Sequence, residues 1–331
     1  MKRNMIPIWG ETIPGNNGKK KEIRPVCRIG FPYYLLRWMK AITNAEYHDI
    51  RKISNDFTYV AGIAPGFESR YYDDVPYLEP FLVDSSDIGV IVVPGGGFTY
   101  KSRDIALMDT EAVPVARQLN KSGINAFILH YRSNPYKLPV SLLDAQRAVR
   151  FLRCHAKEYH LDPNKIGMVG FSAGGMETVG VLSILRDQPV CVDGYTPDKN
   201  DEASARLNFA GLIYGVVNFR GNVPLLSVCF AENETRNAAQ IEDLLDKYDG
   251  GLAAKAGDPP QFICYGDADT CVPPAVQEAY IAKLEEKHIP HEVVVLDGAG
   301  HGFGACTLIN RKQAFWMDDF ARWITKICKG K

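Results

Sequence analysis

From residue 88 onward, short continuous apolar runs alternate with stretches whose apolar positions recur at helical spacing. Residues 88–93 form a run long enough for a strand. A helical pattern follows over 105–119, in which Pro114 marks a kink or a restart. Residues 124–129 supply a second strand, and 142–155 set Leu142, Leu143, Ala145, Val149 and Leu152 on one helical face. A third strand, 166–169, leads into Val179, Val181, Leu182, Ile184 and Leu185, the composition of a buried helix. Further strands are predicted at 209–217, 262–265 and 293–296, with helices over 274–288 and 310–327. Val/Ile-rich strands separated by helices predict an α/β fold: a mostly parallel, doubly wound sheet covered on both faces and joined by right-handed crossovers.

Two regions break this rhythm. Residues 1–75 are rich in Gly, Pro and aromatics, with one helix expected near 33–42, and read as an N-terminal extension packed on the core of a domain spanning 76–331. Residues 218–258 interrupt the alternation with polar stretches and a helix over 238–248, and read as a lid-like insertion. Such excursions either cover a site or an interface, or are plain surface loops. Tyr33, Tyr34, Trp38 and Phe67 in the extension can serve as core packing or as an aromatic rim for a sugar or phenol.

Bulk composition narrows the function classes. The 331-residue chain is 46% hydrophobic and 23% charged with a net charge of −1, ordinary for a soluble globular protein. That balance gives no electrostatic case for nucleic acid or for an anionic membrane surface. The densest basic run, Lys19-Lys20-Lys21, follows Gly15-Asn16-Asn17-Gly18 and reads as a solvated loop. Residues 1–10 lack the apolar stretch of a secretion signal, and no apolar run reaches the roughly 18 residues of a membrane span. The cysteines at positions 27, 154, 191, 229, 264, 271, 306 and 328 form no C-x-x-C pair and do not cluster with histidines. They read as reduced thiols, and a cytoplasmic location is the expectation.

The chemistry is carried by a few short motifs. Gly170-Phe171-Ser172-Ala173-Gly174 sits where the third strand turns into its helix. Glycines two residues either side of a serine suit a tight turn that lifts the hydroxyl clear of the sheet. A serine hydroxyl needs a general base oriented by a carboxylate, in the chain order serine, acid, histidine. His301, in Gly298-Ala299-Gly300-His301-Gly302-Phe303, follows the last strand at the carboxyl edge of the sheet. His288 and His291 stand at its other edge, and His48, His130, His155 and His160 precede the serine. Asp267 and Asp269 compete for the acid in Gly266-Asp267-Ala268-Asp269. Asp267 lies close enough to the strand to cap the turn, and Asp269 stands farther out with more reach towards a histidine, so Asp269 is preferred. Pro94-Gly95-Gly96-Gly97-Phe98 supplies backbone N–H groups without side chains in the way, and Gly96, Gly97 and Ala173 are the expected oxyanion donors. This chemistry needs neither metal nor organic cofactor.

The triple-glycine loop, Tyr131-Arg132, the helix with Asp144-Ala145-Gln146-Arg147-Ala148-Val149-Arg150, and Gly170-Phe171-Ser172-Ala173-Gly174-Gly175 together resemble α/β-hydrolase esterases. The resemblance is to bacterial carboxylesterases of the acetyl-xylan-esterase and feruloyl-esterase-like group, often cytoplasmic, and it covers roughly residues 75–328. Gly266-Asp267-Ala268-Asp269 and Gly300-His301-Gly302-Phe303 match that group's acid and histidine signatures. The resemblance implies hydrolysis of short acyl esters, acetyl or hydroxycinnamoyl groups on plant carbohydrate. The expected partner is thus a small-molecule or oligosaccharide ester, and a homo-oligomer is left open. Pro94 and Met176 stand where many relatives carry histidine. The alternatives are a serine peptidase or amidase on the same fold, for which Glu232 and Glu234 are the only acidic anchor candidates, and a non-catalytic binding protein.

Overall fold

The computed structural model describes residues 5–16, 36–37, 40, 75–84, 86–104, 109–134, 136–307 and 310–329. Eight strands form one sheet: β1 (Ile6–Pro7), β2 (Tyr77–Phe81), β3 (Gly89–Val93), β4 (Asn125–His130), β5 (Ile166–Phe171), β6 (Ala210–Ile213), β7 (Gln261–Gly266) and β8 (His291–Leu296). Their order is β1-β2-β4-β3-β5-β6-β7-β8. β1 and β2 run antiparallel to their neighbours, and the pairs from β4 through β8 are parallel. The longer helices are α1 (Val113–Lys121), α2 (Val140–Cys154), α3 (Ala173–Val179), α4 (Ala238–Lys247), α5 (Pro274–Glu286) and α6 (Phe315–Lys329).

Side chains of successive strand residues point to opposite faces, and β3 shows what this does to the core. Val90 and Val92 join the cluster containing Val115, Leu119, Trp316 and Phe320 of α1 and α6. Ile91 and Val93 join the cluster containing Val149 and Leu152 of α2. A strand buried on both faces has no polar positions, which is why 88–93 reads as an uninterrupted apolar run.

Several expected boundaries shift for identifiable reasons. The strand predicted over 209–217 ends at Ile213, because Tyr214 takes a positive φ of 38° and turns the chain out of the sheet. The helix predicted from 105 begins at Val113, and residues 105–108 lie outside the described residues; Pro114 falls in its first turn, where the missing N–H is harmless, so it starts the helix rather than kinking it. The helix predicted over 310–327 is split: a 3₁₀ turn over Arg311–Gln313 precedes α6. The apolar stretch after α3 continues as a π-helical turn over Gly180–Leu185.

Of the expected extension, residues 5–16 are bound to the body of the domain, and the next segment, 17–35, lies outside the described residues. So do Tyr33, Tyr34, Trp38 and Phe67, Lys19-Lys20-Lys21, Cys27 and His48, together with most of the helix expected near 33–42. Residues 5–16 are fastened by the basic and acidic residues of α2. Asp144 accepts from the Trp9 indole at 2.8 Å and from Arg132 through its backbone N–H and its guanidinium. Arg132 donates in turn to the Pro14 carbonyl at 2.7 Å, and Arg147 to the Ile8 carbonyl at 2.7 Å. Arg147 lies over the Trp9 ring and pairs with Asp198 and Asp201. The insertion 218–258 contains single helical turns at Leu226–Cys229 and Gly250–Ala253 besides α4, and packs Phe219, Phe230 and Tyr248 together. No helix among the described residues is long and apolar enough to cross a membrane.

Candidate active site

β5 delivers Ser172 at its carboxyl end with φ 49° and ψ −120°, a conformation that side-chain-bearing residues rarely adopt. The strain is held by backbone bonds on both sides: Ser172 N–H donates to the Ile213 carbonyl at 3.1 Å, and its own carbonyl accepts from Val216 N–H at 2.8 Å. Close approach explains Gly174, since a Cβ there would come within 2.2 Å of the Val93 carbonyl oxygen. The elbow thus presses α3 directly onto the end of β3.

The loop after β8 brings His301 to the serine. Ser172 Oγ lies 2.8 Å from His301 Nε2, and His301 Nδ1 lies 2.8 Å from Asp269 Oδ2. An ionised carboxylate can only accept, so Nδ1 carries the proton and Nε2 is the acceptor for the serine hydroxyl. The other Asp269 oxygen accepts from the N–H groups of Cys271 and Val272 at 2.8 and 2.9 Å. Three acceptor contacts on a buried carboxylate hold it in a single orientation. Asp267 points elsewhere: its carboxylate accepts from Gly298 N–H at 2.7 Å and ties the acid loop to the histidine loop.

The glycine loop after β3 completes the arrangement. Gly96 has a φ of 139°, and a Cβ there would sit 2.1 Å from the Tyr100 carbonyl oxygen, so only glycine allows the turn. Among the described residues, none accepts a hydrogen bond from the N–H of Gly96, Gly97 or Ala173. The Pro94 carbonyl accepts from the Tyr131 hydroxyl at 2.9 Å, which anchors the loop where relatives carry histidine. Met176 is fully buried in the apolar cluster behind the elbow. Phe98, with a positive φ of 61°, packs its ring 5.8 Å from that of Phe219 in the insertion.

Two residues of this region carry no motif that sequence reading would flag. Glu111, just before α1, binds the glycine loop through Gly95 N–H at 2.7 Å. Tyr214, at the end of β6, lies under the histidine with ring centroids 4.9 Å apart. A polar residue closing an apolar strand at the carboxyl edge was the one available signal for Tyr214. The acidic pair in the insertion has a local task, since Glu234 accepts from Ala231 N–H at 2.8 Å and closes its own 3₁₀ turn.

Comparison with known proteins was made on this framework. The BD-FAE family model matches residues 84–284. An acetylxylan esterase of Xylanibacter ruminicola is 24% identical over 240 residues, 72% of this chain and 45% of that protein. Endo-1,4-beta-xylanase B of Butyrivibrio fibrisolvens is 29% identical over 217 residues, 64% of this chain and 32% of that protein. The chain therefore spans between a third and a half of the length of these curated relatives. Among solved structures, an acetyl ester-xyloside bifunctional hydrolase from Caldicellulosiruptor lactoaceticus superposes with a TM-score of 0.67 at 25% identity, covering 99% of this chain and 97% of that one. The sheet order, the flanking helices and this superposition together make the fold that of an α/β hydrolase.

Proposed function

The chain belongs to the BD-FAE family, and from that premise we propose that it is a serine carboxylesterase removing short acyl groups, acetyl or hydroxycinnamoyl, from plant carbohydrate. The observation that carries the reading is the continuous line from Ser172 through His301 to Asp269, with both links at 2.8 Å. Ser172 Oγ attacks the ester carbonyl while His301 Nε2 takes its proton. Asp269 stabilises the imidazolium, and the carbonyl oxygen, now negative, accepts from the free N–H groups of Gly96, Gly97 and Ala173. Collapse of the tetrahedral species breaks the ester C–O bond, and the leaving alcohol takes the proton from His301. Water then attacks the acyl-enzyme by the same route, releasing the carboxylic acid and restoring the serine.

An ester reading is favoured over a peptidase or amidase by the acetylxylan esterase and acetyl ester hydrolase among the similar proteins, and by the commitment of Glu234 to its own turn. The short-acyl reading is supported by the aromatic packing of Phe98, Phe219, Phe230 and Tyr248 beside the glycine loop, which fills space a long chain would need. We further read 218–258 as a cover for the acyl side of the site, and the cytoplasm as its compartment. Ser172→Ala should abolish release of acetate from acetylated xylo-oligosaccharides while leaving the circular dichroism spectrum and melting temperature close to wild type. More than a few per cent residual turnover, a bound of the order that triad dissections give, would remove Ser172 from the mechanism. On p-nitrophenyl esters, kcat/KM should fall beyond about four carbons in a well-packed pocket. A steady climb from acetate to octanoate, as burial of about 0.8 kcal/mol per methylene in a deep channel would produce, would replace the short-acyl reading with a long one.

A further inference from the structure

Glu111 is only 5% exposed, and no basic side chain among the described residues forms an ion pair with it. Its charge is met by three neutral donors instead. Oε2 accepts from Gly95 N–H and from the Ser102 hydroxyl, both at 2.7 Å, and Oε1 accepts from the Tyr214 hydroxyl at 3.0 Å. The Tyr214 oxygen accepts in turn from Gly304 N–H at 3.0 Å, three residues beyond His301. The neighbouring Thr110 carbonyl accepts from Ala305 N–H at 2.9 Å. Residues 110–111 therefore grip both loops that build the site: the glycine loop by Gly95, and the histidine loop by Gly304 and Ala305.

The placement is tight enough to matter for chemistry. Gly95 immediately precedes the free donors Gly96 and Gly97, and a Cβ on it would lie 2.7 Å from Ser172 Cβ, so the peptide that Glu111 holds is wedged against the nucleophile. On the other arm, Tyr214 sits beneath the imidazole in a strained backbone conformation and reaches the carboxylate only because of it. Burial, reinforced by the Glu111 charge, pushes the Tyr214 phenol well above its ordinary range, so it remains a hydroxyl donor. Glutamine in place of Glu111 would turn an amide N–H₂ towards one of the two arms, setting donor against donor on the Gly95 side or taking the acceptor away from Tyr214.

We propose that Glu111 is a positioning residue that fixes the oxyanion loop and the histidine loop relative to each other, so that one buried carboxylate aligns both halves of the transition state. The proposal rests on the serine esterase reading above. Its test compares the full-length wild type, Glu111→Gln, Tyr214→Phe and the double variant, with active sites counted by the burst on p-nitrophenyl acetate. Glu111→Gln should lower kcat per titrated site by about 10²-fold, the scale of a lost oxyanion donor, with KM changed by no more than about threefold. Binding of an acyl trifluoromethyl ketone, which adds Ser172 to form a tetrahedral oxyanion, should weaken in the same proportion. Tyr214→Phe should lower kcat by about tenfold, and the double variant should lose little beyond Glu111→Gln, because groups acting as a unit are not additive. A Glu111→Gln protein with a lower melting temperature but wild-type kcat per site and wild-type inhibitor affinity would overturn the proposal and make the residue a fastener only. Should that variant fail to fold, Tyr214→Phe decides alone, and unchanged kcat and inhibitor binding there overturn the proposal equally. Residual activity in Ser172→Ala would sink the esterase mechanism itself, an outcome none of these results can mimic.

Discussion

Glu111 and Glu177 are both taken out of water near the elbow, but the first has three donors on its oxygens and the second has no hydrogen-bond partner on either. Glu111 lies at the carboxyl edge of the sheet, between two loops that must hold a fixed relation to the serine. Glu177 lies one helical turn past the elbow on α3, fully buried. Burial pushes its carboxyl up to about 8, Asp144 adds to the shift, and the Ser141 hydroxyl beside it offsets only part of the effect. Depth is the same at the two sites, and what differs is the supply of donors. Where donors converge, a buried carboxylate becomes a clamp. Where they are missing, it survives as a neutral acid and stabilises nothing by its charge.

The same contrast separates the two regions around them. At the catalytic edge the polar groups are interlocked, and strained residues gather: Phe98, Ser172, Tyr214 and Cys306 all have positive φ. Strain of this kind persists only where surrounding bonds over-determine it. Behind the elbow, Met176, Val179, Leu142 and Leu212 pack as an apolar cluster that tolerates one acid as an exception.

The largest effect should come from breaking the interlocked side at its centre. Asp269→Asn would leave the imidazole in the wrong tautomer and cost about 10³- to 10⁴-fold in kcat, as removal of the carboxylate in such triads does. Asp267→Asn removes only the acceptor for Gly298 N–H on an exposed loop and should cost less than about tenfold, the scale of one hydrogen bond worth about 1 kcal/mol. Steady-state kinetics on one activated ester, with both variants measured side by side, is sufficient. Equal losses, or the reverse order, would transfer the acid role to Asp267.

These particular residues also show what the chain makes legible and what it does not. Ser172, Asp269 and His301 stand directly after apolar strands in glycine-rich turns, and a strand end in a parallel sheet has only one edge at which to present them. The parallel strands were legible because each is buried on both faces. β2 was not: Tyr77-Leu78-Glu79-Pro80-Phe81 mixes a charge and a proline into five residues, as an outer antiparallel strand with less to bury on each side can. β1 is two residues long and exists through its pairing with Leu78 and Tyr77. Glu111 and Tyr214 were silent for another reason. Their roles depend on meeting across 103 positions of sequence, and nothing local to either records the partner. Asp144, Arg132 and Arg147 were visible as a motif, but their task of fastening residues 5–16 became apparent only with Trp9, Ile8 and Pro14 in contact with them.

The smallest effect sharpens the unpartnered side. Between pH 4.5 and about 8 the unfolded chain has lost the Glu177 proton while the folded chain retains it, so the folded state binds more protons and stability falls as pH rises through that window. Glu177→Gln keeps the shape and removes the titration. Around pH 5 both proteins bury a neutral group and should melt within a degree or two of each other, since exchange of similar buried groups shifts stability by only about 0.5 kcal/mol. As pH is raised to 9 the variant should become the more stable protein, by roughly 2–4 °C for each kcal/mol of relief in a chain of this size or somewhat smaller. The measurement is the difference in melting temperature, variant minus wild type, at matched ionic strength across that range. A difference that does not change with pH would mean that Glu177 is ionised in the folded protein throughout, and that donors reach it as they reach Glu111. The contrast between the two acids would then lie in their neighbours' flexibility and not in their charge.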